Sequence, residues 1–168
     1  AIPYNPHKLD PAKAKVLLAE AGYPDGFEIK FDVPNTSPFV EIGQSVQQTM
    51  GQGGIKVSIV SAELKQVLGG YRTRKHQMVI MSWTPDYLDP HSNADTFAHN
   101  DDNSDSPKTR PLAWRNHWFE PAVTAKTKAA SQEVDAAKRV AMYEELQKTV
   151  TDTGPFIIMF QPAAVVAS

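Results

Sequence analysis

The sequence predicts an α/β fold, a mixed and mostly parallel sheet flanked by helices. Two patterns and one bulk property point there. Helix-like and strand-like segments alternate from Asp10 to Trp83, the order that strand–helix–strand crossovers produce. The strand-like segments place apolar residues at every second position and the helix-like ones at every third or fourth, so each has a face to bury against the other. At 168 residues, with 41% apolar and 21% charged side chains, the chain is also large enough to bury roughly 70% of the surface it exposes when unfolded.

The elements follow in order. Asp10-Pro11, then Ala12 to Ala21, then Gly22 read as an N-cap, a proline at the first helical position, a helix rich in Ala, Leu and Lys, and a C-terminal glycine. After the turn Tyr23-Pro-Asp-Gly26, the apolar residues Phe27, Ile29, Phe31 and Val33 alternate with Glu28, Lys30 and Asp32, the pattern of a half-buried strand. Ser37-Pro38 opens a second helix whose stripe is Phe39, Ile42, Val46 and Met50, with Gln44, Gln47 and Gln48 largely opposite, and the glycines from Gly51 to Gly54 end it. Ile55, Val57 and Ile59 form the next strand, Glu63 to Leu68 a short helix closed by Gly69-Gly70, and His76 to Trp83 a buried strand. From Thr84 to Trp118 periodicity is lost, except for a short helix started by Asp89 as cap and Pro90 as first residue; a loop of that length in a compact domain usually serves function. Helices return near Phe119 to Ala130 and from Asp135 to Thr151, the latter with Val140, Tyr143, Leu146 and Val150 as its stripe, and Pro155 to Phe160 reads as a last strand.

Composition excludes several functions. Seventeen basic and nineteen acidic side chains leave a net charge of −2. The densest basic cluster, Arg72, Arg74, Lys75 and His76, reads as a solvated turn, so no nucleic-acid partner is expected. With no cysteine, disulfides, Cys-ligated zinc, iron–sulfur clusters and thiol nucleophiles are excluded together. No apolar run reaches the ~20 residues of a membrane span. The opening residues Ala1-Ile-Pro-Tyr4 lack the basic and apolar regions of a signal peptide, so the chain is expected to be a processed form or an excerpt.

The densest chemistry lies at residues 83 to 90, Trp-Thr-Pro-Asp-Tyr-Leu-Asp-Pro, where the apolar run Met78 to Met81 gives way to two aromatics and two carboxylates. A strand end shaped for stability alone more often carries Gly, Asn or Ser. Trp83 and Tyr87 offer ring faces, and Asp86 offers a carboxylate that would suit a primary ammonium through charge-assisted hydrogen bonds worth about 1.5–3 kcal/mol. The bland alternative for Trp83 is core packing. Asp86 and Asp89 form the carboxylate pair a small hydrolase would need, but neighbouring carboxylates more often serve turns and caps, and Asp89 before Pro90 reads as a cap. No nucleophile elbow, phosphate loop or dinucleotide fingerprint occurs. Asp101, Asn103 and Asp105 match the first half of a calcium loop, but Ser106 stands in the glycine position and Leu112 in that of the closing glutamate. His91, Asp95 and His99 would share a face if the helix begun at Pro90 continued, which makes His91 and His99 weak candidates for nickel or zinc; no cofactor is expected.

Four stretches together carry a family resemblance. They are Asp10 to Ile29 (DPAKAKVLLAEAGYPDGFEI), Gln47 to Val60 with its Gly-Ile-Lys-Val, Trp83 to Pro90, and Ala137 to Pro162. Their order resembles the extracytoplasmic solute-binding proteins, family 5, of peptide, oligopeptide and nickel ABC importers. The resemblance implies one lobe, residues 1–168, of a larger two-lobe receptor with the periplasmic-binding-protein fold of type II, with residues 84–118 as a long loop facing the pocket. It implies a small solute, a peptide foremost, and no reaction. It further implies an ABC permease and the receptor's other lobe as partners, a monomeric full-length form, and a place in the periplasm or at the outer face of a cytoplasmic membrane. Nickel or other metal chelates, opines and oligosaccharides are carried by similar receptors and stay open as solutes.

In the peptide-binding members of that family, an aspartate after the strand-end tryptophan holds the peptide's α-amino group, and Asp86 is similar in position. Pro85 departs from the family pattern, which often has a small residue there, and Asp102 to Arg110 follows no family pattern. Arg115 and Asn116 are candidates for further ligand contacts by chemistry alone, against an ordinary surface role.

Overall fold

The computed structural model describes residues 3–160. Within it the chain divides into a sheet unit, His7–Thr84, and a helical unit made of Pro85 onward together with the residues before His7.

The sheet unit begins with α1, Pro11–Glu20. The Asp10 carboxylate accepts a hydrogen bond from the Lys13 amide at 2.9 Å, and Pro11 occupies the first turn, where a missing N–H is harmless. At the other end Gly22 adopts φ +89°, which lets its N–H reach the Ala19 carbonyl at 3.0 Å and the Tyr23 N–H reach that of Leu18 at 2.8 Å. That pair of bonds is a Schellman closure. β1 (Phe27–Pro34), α2 (Phe39–Gln52) and β2 (Ile55–Ala62) then form a strand–helix–strand unit, followed by α3 (Leu64–Arg72) and β3 (Met78–Val79).

The strands lie in the order β2-β1-β3, and both pairings are parallel, with Phe31 beside Ile59 on one side and Met78 on the other. Phe31, Val33, Val57 and Ile80 are buried, and the helical stripe Phe39, Ile42, Val46 and Met50 packs on them. Each such side chain contributes on the order of 1.5–3 kcal/mol when fully buried. The expected alternation and stripe thus form the core. Gln47 does not face away as expected: its amide donates to the Val57 carbonyl at 2.7 Å, tying α2 to the central part of β2.

Two expectations for this unit change. α3 runs through Gly69 and Gly70 instead of stopping there, because Val67 and Tyr71, one turn apart, are both buried on the same face. That burial outweighs roughly 1 kcal/mol of helix propensity lost at each glycine. The helix closes later, where Arg74 takes φ +59° and the Lys75 N–H bonds to the Gly70 carbonyl at 3.0 Å. The last strand is also shorter than the run from His76 to Trp83. Only Met78 and Val79 join the ladder, with one further bond from the Ile80 N–H to the Asp32 carbonyl at 3.2 Å, and Trp83 is exposed.

The helical unit contains α4 (Pro90–Phe97), α5 (Leu112–Arg115), α6 (Pro121–Gln132) and α7 (Ala136–Thr153). Ala98, Val123, Ala130, Tyr143 and Leu146 form its core, flanked by Ala94, Trp118, Met142 and Val150. Of the stripe read on α7, Val140 is the exception, 54% exposed.

The aperiodic stretch between α4 and α6 is held by polar bonds. The Asn100 N–H donates to the Thr124 hydroxyl at 3.0 Å, the Asn100 side-chain amide donates to the Trp118 carbonyl at 2.9 Å, and the buried Trp114 ring donates from Nε1 to the Ser104 carbonyl at 2.8 Å. Bonds of this kind have no hydrophobic period, which is why α5 within the stretch was not anticipated. Residues 155–160, expected as a strand, pair with no strand among the described residues. Phe156 instead packs edge-on to Phe97 and Trp118, at ring-centre distances of 5.0 and 6.4 Å. The remaining two residues of the stretch Ala137 to Pro162, Gln161 and Pro162, lie outside the described residues.

The turn before β1 gives a sharp test of the sheet unit. A Cβ added at Gly26, where φ is +74°, would stand 1.7 Å from the Gly54 carbonyl oxygen, whereas one added at Gly22 meets nothing within 4 Å. Gly22→Ala is expected to cost about 1–2 kcal/mol, the strain of a left-handed residue. Gly26→Ala is expected to cost clearly more, because the β1–β2 start must also separate. Urea unfolding of both variants checks the order, and equal losses would contradict the close approach.

Candidate functional site

The segment from Trp83 to Pro90 crosses from one unit to the other. Trp83 belongs to the sheet unit, three residues beyond the last ladder bond, while Asp86 and Tyr87 belong to the helical unit. The Asp86 carboxylate is exposed, as are the Tyr87 ring and the whole of Leu88. Just after them the backbone doubles back, with the Asp89 N–H donating to the Tyr87 carbonyl at 3.0 Å.

Asp89 is the anchor of this turn. Its Oδ1 accepts from the His91 amide at 2.8 Å, capping α4 as the sequence predicts, and its two carboxylate oxygens accept from Nη2 of Arg139 at 2.7 and 3.0 Å. The Arg139 guanidinium lies over the ring of Tyr143, 4.9 Å from its centre, and Tyr143 is 7% exposed in the core of the unit. The hydrogen bond from Arg139, followed by that from the His91 amide, holds the Asp89 carboxyl below the usual carboxylate range. Burial pushes the Tyr143 phenol above its usual value.

Arg115, Asn116, His91 and His99 each make contacts of their own. Arg115 and Asn116 end the short α5: Nε of Arg115 donates to the Arg110 carbonyl at 3.1 Å, and Nδ2 of Asn116 to the Leu112 carbonyl at 2.8 Å. Both stabilise the backbone of their own turn.

His91 and His99 do not share a helical face, because α4 ends at Phe97. The His91 ring packs towards Tyr143, at a ring-centre distance of 6.2 Å, and its Nδ1 is buried with no hydrogen-bond partner among the described residues. The two ring nitrogens of His99 face Asp95 Oδ1 at 2.7 Å and Asp101 Oδ2 at 2.8 Å, while Asp101 also takes the Lys128 ammonium at 2.5 Å. Lys128 first and His99 second lower the Asp101 carboxyl. The structure does not bring His91 and His99 onto one face of α4, and no set of three or more His, Asp or Glu side chains is arranged to hold a metal among the described residues. A shallow depression lies beside this pair of ion contacts, lined by Asp95, Thr96, His99, Thr109 and Pro111.

Sequence reasoning missed Arg139. The available signal was its spacing: an arginine one helical turn before the buried Tyr143, on the apolar side of α7, is placed to stack on that ring and lend its charge to something nearby.

This architecture is that of part of a periplasmic binding protein. The ABC transporter-associated periplasmic binding protein DppA from Helicobacter pylori, solved in complex with the peptide STSA, superposes with a TM-score of 0.79 at 25% identity, over 91% of this chain and 29% of that one. The family model described as bacterial extracellular solute-binding proteins, family 5 middle, matches residues 1–105. The chain belongs to that family. Among curated relatives, the dipeptide-binding protein of Escherichia coli (strain K12) is 30% identical over 158 residues, 89% of this chain and 28% of the relative. Di/tripeptide-binding protein 2 of Pseudomonas aeruginosa (strain UCBPP-PA14) is 27% identical over 158 residues, 91% of this chain and 28% of the relative. The chain thus spans under a third of the length of these relatives.

The lowered carboxyls set a direction for pH. A carboxyl whose folded pKa lies below its unfolded value stabilises the fold above that unfolded value, about 4 for aspartate. The stabilisation disappears as pH falls through the folded value, since the unfolded chain then binds more protons. Stability measured by urea unfolding should therefore decline below about pH 4–5. Asp89→Asn should make that decline shallower, whereas an unchanged acid slope would contradict the Arg139–Asp89 geometry.

Proposed function

We propose that this chain is one lobe of the solute receptor of an ABC importer, and that the receptor captures peptides outside the cytoplasmic membrane and delivers them to a membrane permease without catalysing a reaction. In this reading Asp86 accepts hydrogen bonds from the peptide's α-amino group, Trp83 and Tyr87 offer ring faces to the ligand, and affinity arises when a second lobe closes over it. The receptor is a monomer in its full-length form. The observation that carries the reading is the family 5 match, which includes the whole of residues 83 to 90. The dipeptide- and di/tripeptide-binding relatives make a peptide the favoured solute.

The chemistry of the two carboxylates supports capture over hydrolysis. A hydrolase would need one of them protonated near neutral pH. Asp89 is held ionised by Arg139 and the His91 amide. Asp86 is exposed, and no described side chain or amide takes up its carboxylate. It is therefore open to a cation from solution.

Two calorimetric results are expected. In the full-length receptor, Asp86→Asn should weaken a free dipeptide by about 10- to 100-fold, the size of a charge-assisted hydrogen bond. The same change should leave an N-acetylated dipeptide nearly unchanged, and equal losses for both ligands would sink the ammonium role. The chain on its own should bind dipeptides far more weakly than the full-length receptor, because one lobe buries only part of the ligand. Comparable affinities would overturn the two-lobe reading.

A further inference from the structure

Asp86 sits on a turn that ordinary loop statistics would leave mobile, yet the residue three places on is fixed from two sides. The Asp89 carboxylate takes the His91 amide at 2.8 Å and the guanidinium of Arg139 at 2.7 and 3.0 Å, from a helix 50 residues later in the chain. The guanidinium lies over the ring of Tyr143, 4.9 Å from its centre, and that ring is part of the core. The side chains of Arg139 and Asp89 are only 29% and 34% exposed, so this pair is shielded in a way that freely solvated surface pairs are not. Between Asp89 and Asp86 the chain closes a tight bend, with the Asp89 N–H on the Tyr87 carbonyl.

From this we infer that Arg139 is a positioning residue for ligand binding: by gripping Asp89 it fixes the turn that presents Asp86, an inference that rests on the peptide-receptor reading above. Two physical consequences support it. An anchored turn spares the ligand the entropy of ordering the Asp86 backbone, and preorganisation of that kind raises affinity without adding a contact to the ligand. Arg139 also neutralises Asp89, which leaves Asp86 as the unpaired carboxylate of the segment, so a cationic group is directed to one acceptor instead of shared between two. One guanidinium nitrogen, Nη2, reaches both carboxylate oxygens while the group lies over the Tyr143 ring, and an arginine serves these two contacts together better than a lysine does.

A double-mutant cycle in the full-length receptor tests this, with a free dipeptide and its N-acetylated form as probes and affinity read by calorimetry. Arg139→Ala should weaken the free dipeptide about tenfold and the N-acetylated form less than about twofold, because the loss passes through Asp86. In an Asp86→Asn background, Arg139→Ala should add nothing. Arg139→Lys should fall between the wild type and the alanine variant, and it carries the same comparison if the alanine variant does not fold. Equal losses for both probes, or losses that add in the double variant, would make Arg139 a general structural support and overturn the inference. A receptor whose wild type and Asp86→Asn form treat the two probes alike would overturn the ammonium site, and this inference with it. Discrimination that disappears in Asp86→Asn but persists in full in Arg139→Ala overturns the positioning role alone.

Discussion

The paired contact between Arg139 and Asp89 joins the start of α4 to α7, and the placing of the turn at Asp86 depends on it. Asp89 would cap α4 in any case through the His91 amide, but a cap alone fixes only the first turn of a helix. With Arg139 on its other side, the carboxylate also sets where that first turn stands against the core, because the guanidinium is itself registered on Tyr143. A partly exposed ion pair of this kind adds little to global stability. Its effect is geometric: it removes freedom from the polar segment between Pro85 and Pro90, where no apolar side chain is buried to do the same.

The sheet unit depends on a different constraint. Its three parallel strands are central or edge members of a narrow sheet, and α2 packs a continuous apolar stripe on them. That arrangement makes the position of α2 decisive, and the amide of Gln47, bonded to the Val57 carbonyl, adds a polar tie to the apolar contact. α1, by comparison, has no buried residue and rests on its caps, Asp10 at one end and the Gly22 closure at the other.

Periodic burial is the property that sequence displays best, and the elements governed by it were legible: the strand from Phe27, the helix from Phe39, the strand from Ile55 and the parallel sheet they form. Caps were readable at Asp10 and Asp89, because a carboxylate ahead of a helix has one dominant use, whereas Asp135, read as the start of its helix, is that helix's N-cap. Boundaries decided by tertiary packing were not. Tyr71 carries α3 past two glycines, and β3 stops after two residues although its apolar run continues. At the site, Asp86 and Asp89 could be told apart from sequence because Pro90 marks the cap. Arg139 could not be paired with Asp89, since a single contact between residues 50 positions apart leaves no periodic trace.

Leu88, next to the carboxylate that opens the site, stands fully in water. An apolar side chain in that state retains the whole of its transfer free energy, about 1.5–3 kcal/mol, as unspent driving force. Any surface that covers it will therefore associate with a negative heat-capacity change. The turn thus exposes a carboxylate and an apolar side chain two residues apart, groups whose attractions respond differently to solution conditions: the ionic one weakens with salt, and the apolar one weakens on cooling.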